Sequence, residues 1–428
     1  MMSSSLSSSI SIQVSITTIE DTHVFILLLA VLGFRVFAAC RTSQAAEKLQ
    51  EETSSRVTTL VLDVTNEKSI SAARDFVAAR LPEGQGLWGV VNNAGIVGPI
   101  GPSEWVSRDG YQTCLAVNLL GLIDVTRTFL PLVRRARGRV VNISSFMGRI
   151  AVANSRYTVS KYGVEAFSDC LRREVYRQGV QVCIIEPGGF KTDLLRQDIL
   201  FKSFKMSYDA TPADIRQHYP ESTVEAAGNM ATRSSAMASR KLHLVVDAYV
   251  LALTSRFPPT RQLVGSDVRL FYRLLWNLPT PLTDWILVNL KEIASSVPSV
   301  CRLSHVTSCG ELQAETSSRV THVVLDVTDE KSLWGVVNNA AIIGPSAPSE
   351  WVSRDGYQTC LAVNLLGLID VTRTFLPLVR RARGRVVNIS SLAGRIAVGA
   401  SPYCVSKYGV EAFSDCLRWC LNVGELKQ

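Results

Sequence analysis

Short apolar runs, separated by polar and glycine-containing segments, are the dominant pattern of this chain. Four of them lie at residues 58–64, 87–92, 139–143 and 181–186. Strands that are buried on both faces of a parallel sheet have such nearly continuous hydrophobic stretches. We therefore predict an α/β fold with a doubly wound parallel sheet over residues 40–295, in which the four runs are adjacent parallel strands.

Polar signatures follow the four runs directly. Asp63 closes the first run, residues 92–95 (NNAG) end the second, Ser144-Ser145 ends the third and Pro187-Gly188 ends the fourth. Open α/β sheets bind their ligands outside the carboxyl ends of the strands. The sequence thus predicts a single ligand site to which all four signatures contribute.

The second half of the chain repeats part of the first. Residues 102–145 are identical to residues 348–391, and residues 53–69 match residues 316–332 with three differences. The second copy lacks the seventeen residues that would correspond to 70–86. Folding constraints alone would not preserve every surface position. We therefore interpret the repeat as a recent tandem duplication, or as two neighbouring coding units joined into one chain, in preference to a selected two-site enzyme.

This repeat divides the chain into four predicted segments: a serine-rich disordered tail at 1–20, a near-complete domain at 21–295, a linker at 296–308 and a truncated second copy of the same fold at 309–428. Without its crossover, the strand candidate at 323–327 cannot pair in parallel with the next apolar run at 333–337. We expect the second copy to form a partial sheet with exposed apolar edges and to be catalytically inactive.

Composition excludes several classes of function. Hydrophobic residues make up 47% of the chain, which is enough for a packed core. The net charge of +8 is inflated by the duplicated arginines of one helix end, where cations complement the helix dipole, so we predict no nucleic-acid binding. The ten cysteines have no C-x-x-C spacing and the five histidines are scattered, so we expect free thiols in a reducing compartment and no metal site.

Tyr157 and Lys161 have a spacing that suits acid–base chemistry, and Ser145 precedes the tyrosine by twelve residues. Residues four apart on a helix share a face, so we expect the Lys161 ammonium to lie beside the phenol and to lower its pKa. Such a phenol can act as a general acid or base near neutral pH. The Ser145 hydroxyl could then bind the reacting oxygen. The same arrangement recurs in the second copy, as Ser391, Tyr403 and Lys407.

These motifs resemble the short-chain dehydrogenase/reductase family and, within it, the retinol and hydroxysteroid dehydrogenase branch. The phrases that carry the resemblance are LWGVVNNAG, GRVVNISS, SKYGVEAFSDCLRRE and RFPPTR. The resemblance covers residues 23–295 and, a second time, residues 309–419. It implies a Rossmann-like fold and an NAD(P)-dependent oxidoreductase that acts on a secondary or allylic alcohol, or the matching carbonyl, of a lipid such as retinol or a steroid.

The resemblance also implies a role for individual residues. Tyr157 would exchange the proton, Ser145 would orient the substrate oxygen, and Lys161 would lower the tyrosine pKa and bind the nicotinamide ribose. Asn118 would hold a water that links the lysine to solvent. The implied nucleotide contacts are Asp63 at the adenine, Asn92, Ala94 and Gly95 along the adenosine side, Pro187 and Gly188 after their strand, and Thr192 at the nicotinamide amide.

The first βα unit departs from the family pattern, in which a turn T-G-x-x-x-G-x-G follows the first strand. Here His23–Ile26 resembles that strand and residues 27–33 resemble only the end of the next helix, which is too short for a parallel crossover. We therefore expect a damaged first unit and weak nucleotide binding. Arg41, after the second strand, favours the extra phosphate of NADP, but this branch often uses NAD without an acidic residue there, so both cofactors stay open.

Two hypotheses of function follow. The chain is either the lipid oxidoreductase described above or an inactive remnant that folds partly or pairs with an intact relative. The apolar residues at 194–204 suit a lipophilic alcohol, ketone or aldehyde. The aromatic segment at 268–290 either docks on a membrane or packs in the substrate lobe. No basic region precedes an apolar stretch at the N-terminus, so we predict no signal peptide. We expect an endoplasmic-reticulum-associated or cytoplasmic protein, and homo-oligomerisation stays open.

Overall fold

The computed structural model describes residues 11–424, except for 16–18, 99, 152–154, 193–194, 220–221, 296–322, 325–332 and 334. The predicted linker at 296–308 therefore lies outside the described residues. So do residues 1–10 of the predicted tail and residues 309–322 of the predicted second copy.

The first copy alternates strands and helices. Its strands are β1 (Ser11–Ser15), β2 (Arg35–Cys40), β3 (Val57–Val61), β4 (Gly89–Asn92), β5 (Arg139–Ile143), β6 (Gln181–Pro187) and β7 (Arg261–Val264). Its helices are α1 (Ile19–Val31), α2 (Ser43–Glu51), α3 (Glu67–Ala78), α4 (Arg108–Leu115), α5 (Leu122–Ala136), α6 (Ser155–Val175), α7 (Gln197–Asp209), α8 (Ala213–Arg216), α9 (Ser222–Met237), α10 (His243–Thr254), α11 (Arg273–Leu275) and α12 (Thr280–Ser295).

All seven strands of the first copy form one parallel sheet, in the order β3-β2-β1-β4-β5-β6-β7. The predicted doubly wound parallel sheet is confirmed. One detail of the prediction is wrong, because β3 is not a neighbour of β4: strands β2 and β1 lie between them. The strand order reverses between β1 and β4, and this reversal creates the crevice in which such sheets bind ligands.

The first βα unit differs from the prediction. The first strand is Ser11–Ser15, within the predicted disordered tail, and it pairs in parallel with both β2 and β4. The predicted strand at His23–Ile26 lies inside α1, which has thirteen residues. A short apolar run fits a buried helix as well as a buried strand, which explains the error. The unit thus has its strand and its helix, and it departs from the family in the connection, residues 16–18 (ITT), which has no glycine and lies outside the described residues.

The end of α5 shows how a close backbone approach fixes the sequence before β5. Arg137 closes the helix in the left-handed conformation, with φ of 47°. A Cβ at Gly138 would lie 2.1 Å from the carbonyl oxygen of Trp88. Only glycine fits there, because the chain after α5 passes so close to the backbone before β4. The residue with the left-handed conformation at the end of the helix is Arg137, not the glycine.

The second copy forms a smaller sheet of three strands, in the order β10-β9-β8. Strand β8 (Val323–Val324) pairs antiparallel with β9 (Gly335–Asn338), which pairs in parallel with β10 (Arg385–Asn388). The predicted loss of parallel pairing between the first two strands is confirmed for residues 323–324, and residues 325–327 of that candidate lie outside the described part. Helices α13 (Arg354–Leu361), α14 (Leu368–Arg381) and α15 (Ser401–Gly424) complete the copy.

The two copies pack on each other through their helices. Helix α15 lies against α6, and one continuous hydrophobic core contains buried residues of both copies, including Phe167, Tyr357 and Phe413. Two helical stretches, Arg108–Ala136 and Arg354–Arg381, are long and apolar enough to cross a membrane by composition alone. Their apolar windows are 72% and 44% buried in the protein, and both contribute to this shared core.

Candidate active site

Strand β5 and helix α6 bring the predicted catalytic serine, tyrosine and lysine together. Ser145 follows β5 and accepts a hydrogen bond from the Met147 backbone N–H at 3.2 Å. The hydroxyls of Ser145 and Tyr157 are hydrogen-bonded to each other. The Lys161 ammonium lies 5.6 Å from the centre of the Tyr157 ring. The three side chains therefore lie next to one another at the carboxyl end of β5.

Lys161 is anchored to the sheet. Its Nζ donates to the carbonyl oxygen of Ile143, the last residue of β5, at 2.8 Å. Burial lowers the lysine pKa to about 8, while the Cys114 thiol and the Glu165 carboxylate act in the opposite direction. At neutral pH the side chain therefore keeps most of its positive charge.

The pKa of Tyr157 is raised to about 12, contrary to the expected lowering. Burial is the largest cause, and the hydrogen bond from Ser145 only partly offsets it. Withdrawal of the phenol from water disfavours the phenolate more than the hydrogen bond from Ser145 favours it, and the Cys114 thiol acts in the same direction as burial. With this pKa, the tyrosine is a neutral proton donor at physiological pH.

Asn118 lies on a π-helical segment, Ala116–Gly121, between α4 and α5. Its Oδ1 accepts from the backbone N–H of Ile96 at 2.8 Å, and its Nδ2 donates to the Ile96 carbonyl at 2.9 Å and to the Ser160 hydroxyl at 3.0 Å. Single π-helical turns often occur at functional sites. Ser160 was missed in the sequence, although its position directly before Lys161 could have indicated it.

Gly95 lies where the strand-end turn meets these residues. A Cβ at Gly95 would lie 3.6 Å from Asn118 Oδ1 and 3.7 Å from Lys161 Nζ. Ala94 precedes it in the same half-buried turn. Small residues thus keep the space in front of the lysine open for a ligand.

Asn92 requires a correction. Its side chain is 3% exposed, and its Nδ2 donates to Thr126 and to Asn142, both at 2.8 Å. The amide therefore holds β4 to β5 and α5 inside the protein, where it is not exposed to a ligand. The neighbouring Asn93 accepts a hydrogen bond from Tyr249 at 2.6 Å.

Asp63 and Arg41 lie together at the carboxyl ends of β3 and β2. The Asp63 carboxylate accepts from the Thr65 backbone N–H at 2.8 Å and from the Thr65 hydroxyl at 2.7 Å. These hydrogen bonds hold the pKa of Asp63 below its usual value, with a smaller contribution from the charge of Arg41. The carboxylate is thus ionised and half-buried at the edge of the crevice.

The segment after β6 is organised by an aspartate that sequence reasoning missed. Gly188 follows Pro187, and a Cβ there would lie 2.3 Å from the Asp267 carboxylate, which accepts from the Gly189 N–H at 3.0 Å. Gly188 is therefore required by the packing of Asp267. Thr192 lies half-buried between β6 and α7, and Leu194 of the predicted apolar segment lies outside the described residues.

A buried charge cluster behind the site was also missed. Arg261 on β7 pairs with Glu165, with Asp169 at 2.9 Å and with Glu186 at 2.8 Å. Burial, together with the neighbouring Glu165 carboxylate, raises the pKa of Glu186 to about 8, and the two arginines in contact with it, Arg261 and Arg149, oppose the shift. Because Glu186 directly precedes Pro187, this cluster fixes the end of β6 against α6.

The second copy reproduces the local geometry of these residues. Lys407 donates to the Ile389 carbonyl at 2.8 Å and lies 5.7 Å from the Tyr403 ring. Asn364 accepts from Ile342 N–H at 2.7 Å and donates to its carbonyl at 2.8 Å. The surroundings differ, because the described part of this copy has no counterparts of β1, β2, β6 or β7.

The residues present fit the two ends of a nicotinamide dinucleotide. Asp63 and Arg41 lie where the adenosine of such a ligand would be, and Lys161 and Tyr157 lie beside the open space at Gly95. The pyrophosphate in this type of fold binds at a glycine turn between β1 and α1, and here that connection, residues 16–18, has no glycine and lies outside the described residues. The described residues therefore fit the two ends of such a ligand.

The sequence matches the family of short chain dehydrogenases over residues 25–200 and again over residues 292–423. The chain belongs to the short-chain dehydrogenase/reductase family. The family matches two separate segments of the chain, which confirms the partial repeat.

Several retinol and hydroxysteroid dehydrogenases are similar to this short-chain dehydrogenase. Retinol dehydrogenase 16 of Rattus norvegicus is 46% identical over 252 residues, which cover 59% of this chain and 79% of the relative. Human 17-beta-hydroxysteroid dehydrogenase type 6 is 46% identical over 255 residues, which cover 60% of this chain and 80% of the relative. The predicted branch is thereby confirmed.

Solved structures show the same fold. A short-chain dehydrogenase from Streptomyces avermitilis has a TM-score of 0.50 and 23% identity, over 67% of this chain and 98% of that one. Levodione reductase has a TM-score of 0.50 and 21% identity, over 62% of this chain and 99% of that one. At this identity the likeness concerns the Rossmann-like fold alone.

Proposed function

We propose that the first copy is an NAD(P)-dependent oxidoreductase that moves a hydride between nicotinamide and a secondary or allylic alcohol of a lipid such as retinol or a steroid, or the matching carbonyl. The observation that carries the proposal is the hydrogen bond between Ser145 and Tyr157, with Lys161 next to them. The relatives named as retinol and hydroxysteroid dehydrogenases support the substrate class.

The proton follows a short route in this mechanism. The substrate oxygen lies between the Ser145 and Tyr157 hydroxyls, so the serine orients it while the tyrosine gives or takes the proton. The nicotinamide, when bound, supplies or accepts the hydride at the carbon that carries this oxygen. Asn118 and Ser160 hold the turn at Ile96 against α6, which keeps Lys161 in line with the tyrosine.

The pKa values of Tyr157 and Lys161 decide which direction of the reaction is faster at neutral pH. With a pKa of about 12, Tyr157 is protonated at neutral pH and ready to donate to a carbonyl oxygen. Alcohol oxidation needs the phenolate, which the Lys161 ammonium stabilises as long as it stays charged, below a pH of about 8. We therefore expect carbonyl reduction to be faster than alcohol oxidation at pH 7.

A small aromatic cluster supports a lipophilic substrate. Trp105 contacts Phe204, Tyr208 and Tyr219, with ring centres 4.8–5.2 Å apart. Trp105 lies in the segment before α4, Phe204 and Tyr208 lie on α7, and Tyr219 follows α8. Apolar and aromatic walls of this kind bind lipid-like ligands through burial of hydrophobic surface.

Peripheral membrane contact is part of the proposal. Leu270 and Leu274 are 71% and 68% exposed and lie beside the exposed Arg269 and Arg273. Exposed leucines flanked by cations fit an anionic membrane surface, such as that of the endoplasmic reticulum. Cosedimentation with phosphatidylserine vesicles should fall when Leu270 and Leu274 are changed to Glu. The change Val31→Glu, at an exposed residue of α1, is the control that should leave it unaltered.

The glycine-free connection at residues 16–18 favours a second candidate, an inactive remnant. Each charge-assisted hydrogen bond lost at the pyrophosphate costs about 1.5–3 kcal/mol. Two lost bonds would weaken nucleotide binding by roughly a hundredfold or more. The proposed function then requires millimolar NAD or NADP.

Calorimetric titration with both nucleotides, followed by assays of retinol and hydroxysteroids at millimolar nucleotide, separates the two candidates. We expect weak binding with measurable turnover, and roughly hundredfold tighter binding once T-G-x-x-x-G-x-G replaces residues 16–18. This replacement belongs between β1 and α1, rather than after Ile26 as the sequence alone suggested. Absence of binding in both proteins would favour the remnant.

A further inference from the structure

The interface between the two copies consists of contacts that occur in pairs. Arg354 forms a largely buried ion pair with Asp124, and Arg108 forms an ion pair with Asp370. Positions 108 and 354 are equivalent in the repeat, as are 124 and 370. Each copy therefore offers the same arginine and the same aspartate to the other.

A second set of contacts has the same reciprocity. The Arg127 Nε donates to the backbone carbonyl of Glu350 at 3.2 Å, and the equivalent Arg373 Nε donates to that of Glu104, also at 3.2 Å. The side chains of these two glutamates accept from Arg134 and Arg380, respectively, at 2.5 Å and 2.8 Å.

The apolar part of the interface follows the same rule. Phe167 contacts Tyr357 edge to face at 6.4 Å, and the equivalent Phe413 contacts Tyr111 at 6.3 Å, with interplanar angles of 73° and 72°. These rings lie in one continuous core. Reciprocal contact of residue i with j and of j with i defines an isologous, two-fold interface.

The symmetry persists where the two copies differ in sequence. Ser349 binds Glu174, and the equivalent Ser103 contacts Cys420, which occupies the position equivalent to Glu174. The packing is therefore set by the shared backbone geometry as much as by the identical side chains.

We propose that the second copy is an internal partner subunit. It covers the self-complementary face of the first copy formed by α4, α5 and α6, and it makes the chain a monomer with internal two-fold pseudosymmetry. A tethered partner has an effective concentration of order millimolar, so a second chain cannot compete for this face. Its role is then to bury α6, which carries Tyr157 and Lys161, without any other subunit.

A thiol pair across the interface offers a direct test. The Cys170 thiol of α6 is hydrogen-bonded to the Cys404 thiol of α15. In the first copy, the residue equivalent to Cys404 is Thr158. Diamide joins two adjacent thiols in a disulfide by taking up the two hydrogens that they lose. Light and isotopically heavy chains are mixed, treated with diamide and analysed by mass spectrometry for the peptide that links Cys170 to Cys404.

We expect only light–light and heavy–heavy links, together with a single sedimenting species of 46.9 kDa. The matched control Cys404→Thr, which restores the residue of the first copy, should abolish the link. Arg354→Asp should reduce the linked fraction several-fold, and the added change Asp124→Arg should restore it, which also shows that the chain still folds. Mixed light–heavy links, or a dimer that persists when Val387→Lys removes exposed sheet surface, would overturn the proposal.

Discussion

The two copies share forty-four identical consecutive residues, yet those residues have different environments. In the first copy, Val140 and Val141 of β5 are 0% exposed, because β4 and β6 flank the strand and helices cover it. In the second copy, the equivalent of Val141 is Val387 on β10, which is 45% exposed. Hydrogen bonds such as those that Ser107 and Ser353 accept at the starts of their helices recur in both copies, whereas the burial of the segment differs.

This difference separates what a short sequence determines from what its neighbours supply. The π-helical turn with Asn364, the capping of residues 392–394 by Ser391 and the anchoring of Lys407 all form in a copy that lacks most of its sheet. They are local properties. The crevice at the strand reversal needs β1, β2 and the end of β6, and the described part of the second copy contains no counterpart of these strands.

The largest expected effect comes from a charge at equivalent valines of the two sheets. Val141→Lys places an ammonium in a fully buried position and should lower the free energy of unfolding by about 4 kcal/mol or more. Val387→Lys, at the half-exposed equivalent, should change it by about 0.5 kcal/mol or less. Urea unfolding followed by circular dichroism gives both values. Similar losses from the two variants would mean that the second sheet is covered.

A smaller effect distinguishes the charge clusters behind the two tyrosine helices. Arg261→Met leaves the Glu165 and Asp169 carboxylates and the buried Glu186 side chain without their shared partner, and we expect a loss of about 3–5 kcal/mol. In the second copy, Glu411 is equivalent to Glu165 and pairs with Arg395, which is 62% exposed. Arg395→Met should therefore cost about 0–1 kcal/mol. Equal costs in urea unfolding would contradict the difference in burial.

The same cluster predicts a dependence of stability on pH. The pKa of Glu186 is raised from about 4.5 to about 8 in the folded protein, so the folded state binds more protons than the unfolded state between these values. This contribution to stability is complete below pH 4.5 and is lost as the pH rises through 8. The Tm of the wild type should fall between pH 5 and pH 8.5 by more than the Tm of Glu186→Gln, and parallel curves would show that Glu186 is ionised throughout.

Much of this was predictable from sequence, for identifiable reasons. Buried parallel strands are nearly continuous apolar runs, which located β3 to β6, and Ser145, Tyr157 and Lys161 are fixed by spacing along one strand and one helix. The sequence could not show that residues 23–26 belong to helix α1 and not to the first strand, because Val24 to Leu32 is apolar enough for a buried helix or a buried strand. The raised pKa of Tyr157 results from a competition between burial and the hydrogen bond from Ser145, and only the three-dimensional packing decides the direction of the shift.

The interface between the copies also could not be predicted from the sequence. Identity over 102–145 and 348–391 establishes that both copies offer the same helical face, but it says nothing about whether those faces meet. Reciprocal pairs such as Arg354 with Asp124 appear only once both copies are placed. Self-complementarity is a property of a folded surface, so a repeat in the sequence predicts the surface and leaves its partner undetermined.

The central claim is that identical catalytic geometry works only where the full sheet surrounds it. The direct measurement compares Tyr157→Phe with Tyr403→Phe in carbonyl reduction at millimolar NADPH, in the wild-type chain and in the chain with a glycine turn at residues 16–18. Loss of the general acid should lower kcat about 10²–10⁴-fold for Tyr157→Phe, and Tyr403→Phe should leave it unchanged. Equal losses from the two substitutions would contradict the account, since both tyrosines would then take part in turnover.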